Sequence, residues 1–211
     1  MPRGKFIAFE GGEGCGKDAN IDYLQKHVYA GRDDIVFTRE PGGTAPGEDI
    51  RNKVIFVHSS RGLCVKSELL LFVAARAQLV EQIIQPALKE GRHVISNRFR
   101  RSTFAYQLYG RGRMDYLDFY RDVGKFAVGD CNPDAYILLD VTPEVGLARV
   151  ARRKGEVTPF DQEELVFHYK VRDGYRLPPD EGGEDVRINA DLPLQEVQAQ
   201  VVHHVRRIIG S

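Results

Sequence analysis

Glycines 11, 12, 14 and 16, followed directly by Lys17, are the residues whose types and spacing most plainly specify chemistry. They close the run Phe6-Ile-Ala-Phe-Glu-Gly-Gly-Glu-Gly-Cys-Gly-Lys-Asp18. Glycine reaches positive φ and lets backbone N–H groups approach a ligand closely. A glycine-rich loop that opens into a helix N-terminus is a seat for phosphate. The phosphate-loop pattern is Gly, four residues, Gly, Lys, then Ser or Thr, whose hydroxyl meets Mg²⁺. Gly11 to Lys17 satisfies it up to the last position, where Asp18 brings a carboxylate instead. A tight strand-to-helix turn would not need alternating glycines ending in Lys. Gly11, Gly12, Glu13, Gly14, Cys15, Gly16, Lys17 and Asp18 are therefore the expected cradle for nucleotide phosphates. Lys17 would neutralise charge during phosphoryl transfer, a reaction that needs positioning more than covalent help from the protein.

Arginines supply a second signal. Arg92, Arg98, Arg100, Arg101, Arg111 and Arg113 lie within 22 residues, and Arg149, Arg152, Arg153 and Lys154 form another group. Beside a phosphate loop they read as anion clamps, with solvated surface as the plain alternative. The chain as a whole has no net charge, 30 basic against 30 acidic residues, so no global field points to nucleic acid or an anionic membrane. Three widely spaced cysteines suit a reducing compartment. The six histidines show no metal-ligand spacing. With no hydrophobic signal region and no apolar run of membrane-spanning length, a cytoplasmic protein is expected.

The elements that must hold these residues alternate. Strands are expected at 5–10, 35–38, 93–96, 133–140 and 186–189. Helices are expected at 16–30, 47–57, 67–89, 101–108, 114–128, 143–153, 161–177 and 193–209. Ser67 is the expected N-cap of the longest helix, with Leu70, Val73, Ala77, Val80, Ile84 and Leu88 as its inward stripe, and Pro86 should loosen its last turn. Leu165, His168/Tyr169 and Arg172 mark the stripe of the helix over 161–177. Strand–helix alternation over 211 residues, without repeat or linker, predicts one α/β domain, 1–211, with a parallel sheet covered on both faces. Ligands in such sheets bind beyond the carboxyl ends of the strands. Glu10, Arg39, Asn97 and Asp140 stand at those ends.

Five segments, the phosphate loop among them, make a pattern: Phe9-Glu-Gly-Gly-Glu-Gly-Cys-Gly-Lys17, Thr38-Arg-Glu-Pro-Gly-Gly-Thr44, Leu71-Phe-Val-Ala-Ala-Arg-Ala-Gln78, Ser102-Thr-Phe-Ala-Tyr-Gln107 and Asp140-Val-Thr-Pro-Glu-Val-Gly-Leu147. In order and spacing they resemble bacterial thymidylate kinases, nucleoside-monophosphate kinases that pass the γ-phosphate of ATP to dTMP. Phe167 to Tyr175 also looks like that family. The resemblance implies a P-loop kinase fold, a five-stranded parallel sheet with helices on both faces and a small lid at about 149–160. It implies ATP and dTMP as substrates, Mg²⁺ as cofactor, and a homodimer.

The resemblance also implies roles. Phe72 and Arg76, four apart on one helix, would stack on and hydrogen-bond a pyrimidine; taken alone, Phe72 reads as core. Arg39, Arg51 and Arg98 would hold the monophosphate, with Glu10, Pro41, Ser102, Tyr106 and Gln107 around the base and sugar. Arg98 and two lid arginines, Arg149 and Arg153, would join Lys17 in catalysis, although a basic face on an exposed helix would give the same sequence. Two departures stand out: Asp18 replaces the usual hydroxyl, and Asn97 replaces the acid of an Asp-Arg pair. Asp18 and Asn97 are the candidate Mg²⁺ residues. Two alternatives follow from the departures: a kinase for another pyrimidine monophosphate such as dUMP, with Arg100 and Arg101 near the base, or a nucleotide-binding homologue with impaired catalysis.

Overall fold

The computed structural model of the protein describes residues 2–59, 61–152, 158–178 and 181–210. Five strands, β1 (Phe6–Glu10), β2 (Ile35–Arg39), β3 (His93–Asn97), β4 (Ala135–Asp140) and β5 (Glu184–Asn189), form one sheet in the order β2-β3-β1-β4-β5. Every pairing is parallel. Both faces are covered, so central strands read as apolar runs. All five residues of β1 are buried. Its alternation splits the core: Ile7 and Phe9 face one cluster, while Phe6 and Ala8 face another.

Helices α1 (Lys17–Tyr23) and α10 (Leu194–Ile209) contribute to the first cluster. α10 does so through Val197, Val201, Val205 and Ile209, one residue per turn. The second face is covered mainly by α4 (Val65–Leu79), its continuation through α5 (Gln85–Lys89), and α7 (Leu117–Val128). The remaining helices complete the chain order: α2 (Ala45–Asp49), α3 (Phe56–His58), α6 (Arg100–Thr103), α8 (Pro143–Arg152) and α9 (Leu165–Arg176).

Four local expectations change. The N-cap of α4 is Cys64, with no side-chain cap bond, and Ser67 lies inside the helix. Leu70 is exposed; Leu69, Phe72, Val73, Arg76 and Leu79 form the buried face. In α9 the inward residues are Phe167, His168, Val171 and Tyr175, while Leu165 and Tyr169 are exposed. The face was misassigned because Phe167, Val171 and Tyr175 also repeat at four-residue spacing, and Tyr106 packs against two of their rings. The loosening expected at Pro86 falls just before it, on a widened turn over Val80–Ile84.

The strand ends place the site. Phe9 lies opposite Asn97, and Arg98 N donates to Phe9 O at 2.8 Å. The loop after β1 and the segment after β3 therefore emerge side by side at the carboxyl edge of the sheet, between β2 and β4.

Candidate active site

Gly11, Gly14 and Gly16 have φ of 145°, 67° and 91°, values that strain any residue with a Cβ. Gly16 is the N-cap of α1. Lys17 turns back across the loop and donates from Nζ to Gly11 O (2.8 Å) and Gly12 O (3.2 Å). Its charge is thereby fixed over the loop it serves. The far side of the loop rests on α8 without an intervening side chain. A Cβ on Gly14 would lie 2.0 Å from Gly146 O, and one on Gly146 would lie 2.3 Å from Glu13 O.

Arg98, just past β3, is the hub. Among the described residues it is the only non-glycine with positive φ, 71°, a strained conformation held by its side-chain bonds. Nη1 donates to Gly11 O (3.1 Å), Ser102 Oγ (3.1 Å) and Tyr175 OH (2.9 Å). Nη2 donates to Glu13 Oε1 (2.8 Å) and Tyr106 OH (3.2 Å). Tyr106 OH donates to the same Glu13 oxygen at 2.6 Å. Burial works to raise the Glu13 carboxyl, but Arg98, Lys17 and Tyr106 together hold it below the usual range. Burial pushes the Tyr106 and Tyr175 phenols well above theirs. At neutral pH the network is one carboxylate, one guanidinium and neutral hydroxyls, and it ties the phosphate loop to α9 and to the helical segment after α6.

Beside the hub, Asn97 Nδ2 donates to Asp18 Oδ1 at 2.6 Å. The two residues that depart from the expected pattern thus touch. Asn97 Oδ1 is buried and has no partner among the described residues.

A cavity of about 1000 Å³ opens over these groups. On one side it is lined by Arg39, Pro41, Arg51, Phe72, Ser102, Tyr106 and Gln107, all expected there. Arg39 pairs with Glu48 (2.9 Å). Arg51 donates to Pro41 O (3.1 Å) and lies over the Phe56 ring at 4.4 Å. Gln107 Nε2 donates to buried Glu68 at 3.4 Å. Arg76 is fully buried; it pairs with Glu40 and donates to Thr103 Oγ1 (2.6 Å). Burial opposes its charge, and Glu40 more than offsets that. Arg76 does not itself line the cavity; Glu40 and Thr103 beside it do, and Arg76 Nη1 has no partner among the described residues.

Glu10 is the clearest correction. It is buried away from the cavity and accepts from Phe99 N (2.9 Å), Ser102 N (3.3 Å) and Ser102 Oγ (2.5 Å). A carboxylate at a strand end finds unpaired N–H donors at the start of the helix that follows the neighbouring strand β3, so Glu10 holds α6 and does not line the cavity. Burial is the main cause that raises its pKa to about 7. Arg100 and Arg101 are also turned away: Arg100 faces Glu181 (3.5 Å), and Arg101 pairs with Asp185 and lies 3.7 Å from the centre of the Tyr136 ring. Neither lines the cavity.

Sequence reasoning missed several lining groups. Phe160 enters from the turn Pro159–Gln162, its ring 6.5 Å from Phe72 and edge-on to Tyr106 at 5.5 Å. Thr158 caps that turn in a reciprocal capping box with Asp161. Phe56 and Thr103 also line the wall. The other end of the cavity is formed by Asp191, Leu192, Pro193, Leu194 and Val197, between β5 and the first turns of α10. Arg149 belongs to that end, its Nη1 donating to Ala190 O at 2.8 Å. Arg153 and the rest of 153–157, the middle of the expected lid, lie outside the described residues.

A parallel sheet with a Gly-rich Lys-bearing loop after its central strand and basic side chains across the cavity defines the P-loop kinases of small phosphorylated substrates. Within that class the match is particular. The thymidylate kinase family model matches residues 9–201. Thymidylate kinase of Magnetococcus marinus is 41% identical over 204 residues, covering 96% of each chain. Those of Desulfovibrio desulfuricans and Legionella pneumophila are 43% and 36% identical, covering 92% of each chain, and 98% of this chain and 96% of the other. The chain belongs to the thymidylate kinase family.

Proposed function

We propose that this protein is a thymidylate kinase that transfers the γ-phosphoryl group of ATP to dTMP, giving ADP and dTDP. The observation that carries the reading is the single cavity that joins the phosphate loop, Gly11 to Asp18, to a basic and aromatic wall at Arg51, Phe72 and Tyr106. ATP phosphates lie on the loop, and the pyrimidine lies against Phe72 with Gln107 toward its polar edge, while Arg76 acts from behind the wall through Thr103, which it bonds. Arg39 and Arg51 take the acceptor monophosphate. A phosphate oxygen of dTMP attacks the γ-phosphorus as the bond to the β–γ bridging oxygen breaks, and ADP leaves with that oxygen. Lys17 and Arg98 stabilise the charge that shifts toward ADP. Ala190 to Leu194 and Arg149 form the seat of the donor base, which moves Arg149 from catalysis to donor binding. Arg153 stays with the lid, as do the remaining residues of 149–160.

Mg²⁺ accompanies ATP in this reading. Asp18 and Asn97 offer hard oxygens at the loop edge, and the orphaned Asn97 Oδ1 marks incomplete satisfaction there, so the residues present fit a hard cation. When bound, the cation would neutralise the donor phosphates. Dimerisation is part of the same proposal: Leu70 on α4 and Phe119 and Phe126 on α7 are exposed apolar side chains on packed helices. So is a cytoplasmic location; no helix among the described residues is long and apolar enough to cross a membrane.

ADP release measured with dTMP, dUMP, dCMP and dGMP as acceptors tests the function. Preference for dTMP supports it, and preference for dUMP would transfer the reading to another pyrimidine kinase. Binding of ATP and dTMP without turnover would favour an impaired homologue, a reading for which the Asp18 carboxylate beside the phosphates is the specific motive.

A further inference from the structure

We propose that Asp18 and Asn97 act as one carboxylate–amide unit that makes nucleotide binding conditional on a divalent cation. The inference rests on the reading of Gly11 to Lys17 as the ATP phosphate cradle and goes beyond it. A hydroxyl after the loop lysine can meet Mg²⁺ but, being neutral, does not repel phosphate that arrives without a metal. A carboxylate is not: metal-free ATP brings like charge to Asp18, and the repulsion grows as the cavity excludes water. With a hard cation between them the sign of the interaction reverses.

An acidic residue in the first turn of a helix has a simpler explanation, since it complements the helix dipole. That accounts for an acid at position 18 but not for what it touches. Asn97 reaches across from the end of β3 and donates to Oδ1 at 2.6 Å, although the two residues are 79 apart in the chain. This bond fixes the carboxylate. The other Asp18 oxygen has no side-chain partner among the described residues. Asn97 Oδ1 is buried without a partner, which a purely structural pair would not leave uncompensated. Both residues line the large cavity. Lys17 is turned onto the carbonyls of Gly11 and Gly12, and the Arg51 guanidinium, whose charge Asp18 favours, bonds Pro41 O; neither forms an ion pair with Asp18 among the described residues.

The test uses the full-length protein and AMP-PNP, a non-hydrolysable ATP analogue, titrated calorimetrically in excess Mg²⁺ and, separately, in EDTA. The ratio of the two dissociation constants is the readout. The wild type should bind the Mg²⁺ form at least tenfold more tightly. In Asp18→Asn the ratio should fall to within about threefold of one, because metal-free binding improves as the Mg²⁺ form weakens. The exchanged double variant, Asp18→Asn with Asn97→Asp, keeps one carboxylate and one amide and should regain most of the ratio. An unchanged ratio in Asp18→Asn, or a double variant that behaves like Asp18→Asn, overturns the proposal. If Asp18→Asn does not fold, the wild-type ratio decides: AMP-PNP bound equally well in both conditions sinks the idea. Wild-type protein that binds AMP-PNP in neither condition overturns the phosphate-loop reading itself.

Discussion

The two ends of the cavity are built from different materials. The phosphate end is backbone: three glycines at positive φ, a helix N-terminus and one lysine folded onto carbonyls, all within eight residues. The acceptor end is side chain. Phe72 comes from α4, Tyr106 from the segment after α6, Phe160 from the turn before α9 and Arg51 from the segment after α2. Behind that wall stands a buried ion pair, Arg76 with Glu40. Backbone recognises what every nucleotide shares, and a wall gathered from distant elements recognises what one nucleotide has. Damage at the first end should cost rate with any acceptor. Damage at the second should cost choice, or the fold.

The largest effect expected is at the phosphate end. Lys17→Met should lower kcat about 10³-fold with every accepted monophosphate, since it removes charge that stabilises the transition state; steady-state ADP release checks it. Behind the acceptor wall, Glu40→Gln strips a fully buried guanidinium of its counter-charge and should cost about 3 kcal/mol of folding stability, read from urea unfolding. A loss of rate without loss of stability would blur the contrast drawn above.

Glu10 sharpens the comparison through pH. Its pKa rises from 4.5 to about 7 in the folded protein, so the native state holds a proton that the unfolded chain has released. Stability from this group is therefore complete below pH 4.5 and declines as pH rises toward 7, by roughly 3 kcal/mol at most. Glu10→Gln should flatten that part of the stability profile and leave acceptor choice untouched. A changed preference among acceptors would return Glu10 to the cavity. Smallest is Phe72→Ala, which should raise KM for dTMP about tenfold, within the range of one lost base–aromatic stack, while KM for ATP stays constant. Equal changes in both constants would show that the wall is not separable from the loop.

What was legible in the sequence follows the same division. The strands, their parallel pairing and the phosphate loop are written in contiguous residues. Arg39, Phe72, Ser102 and Tyr106 stand in the segments that carry the resemblance, Arg51 is implied by the resemblance alone, and all five line the cavity. Phe160 and the Ala190 to Leu194 segment were not, because nothing near them in the chain signals that they meet the site; long-range packing alone brings them there. The acid at position 10 misled for the opposite reason: its neighbours placed it at the strand end, but the hydrogen bonds of α6 turned it inward. The face of α9 was ambiguous because two stripes share its periodicity, and the rings of Phe167 and Tyr175 meeting Tyr106 decide between them.

The contact between Gly14 and Gly146 fixes the length of a piece of chain. An α-helix turns by about 100° per residue, so one residue inserted between β4 and α8, at Val141 or Thr142, would bring the residue before Gly146 against the loop, and one deleted there would bring the residue after it. The neighbours are Val145 and Leu147. Either would drive a branched side chain into the carbonyl of Glu13, where a single methyl already falls 2.3 Å away. The connection from β4 to α8 therefore sets a count that indels cannot change.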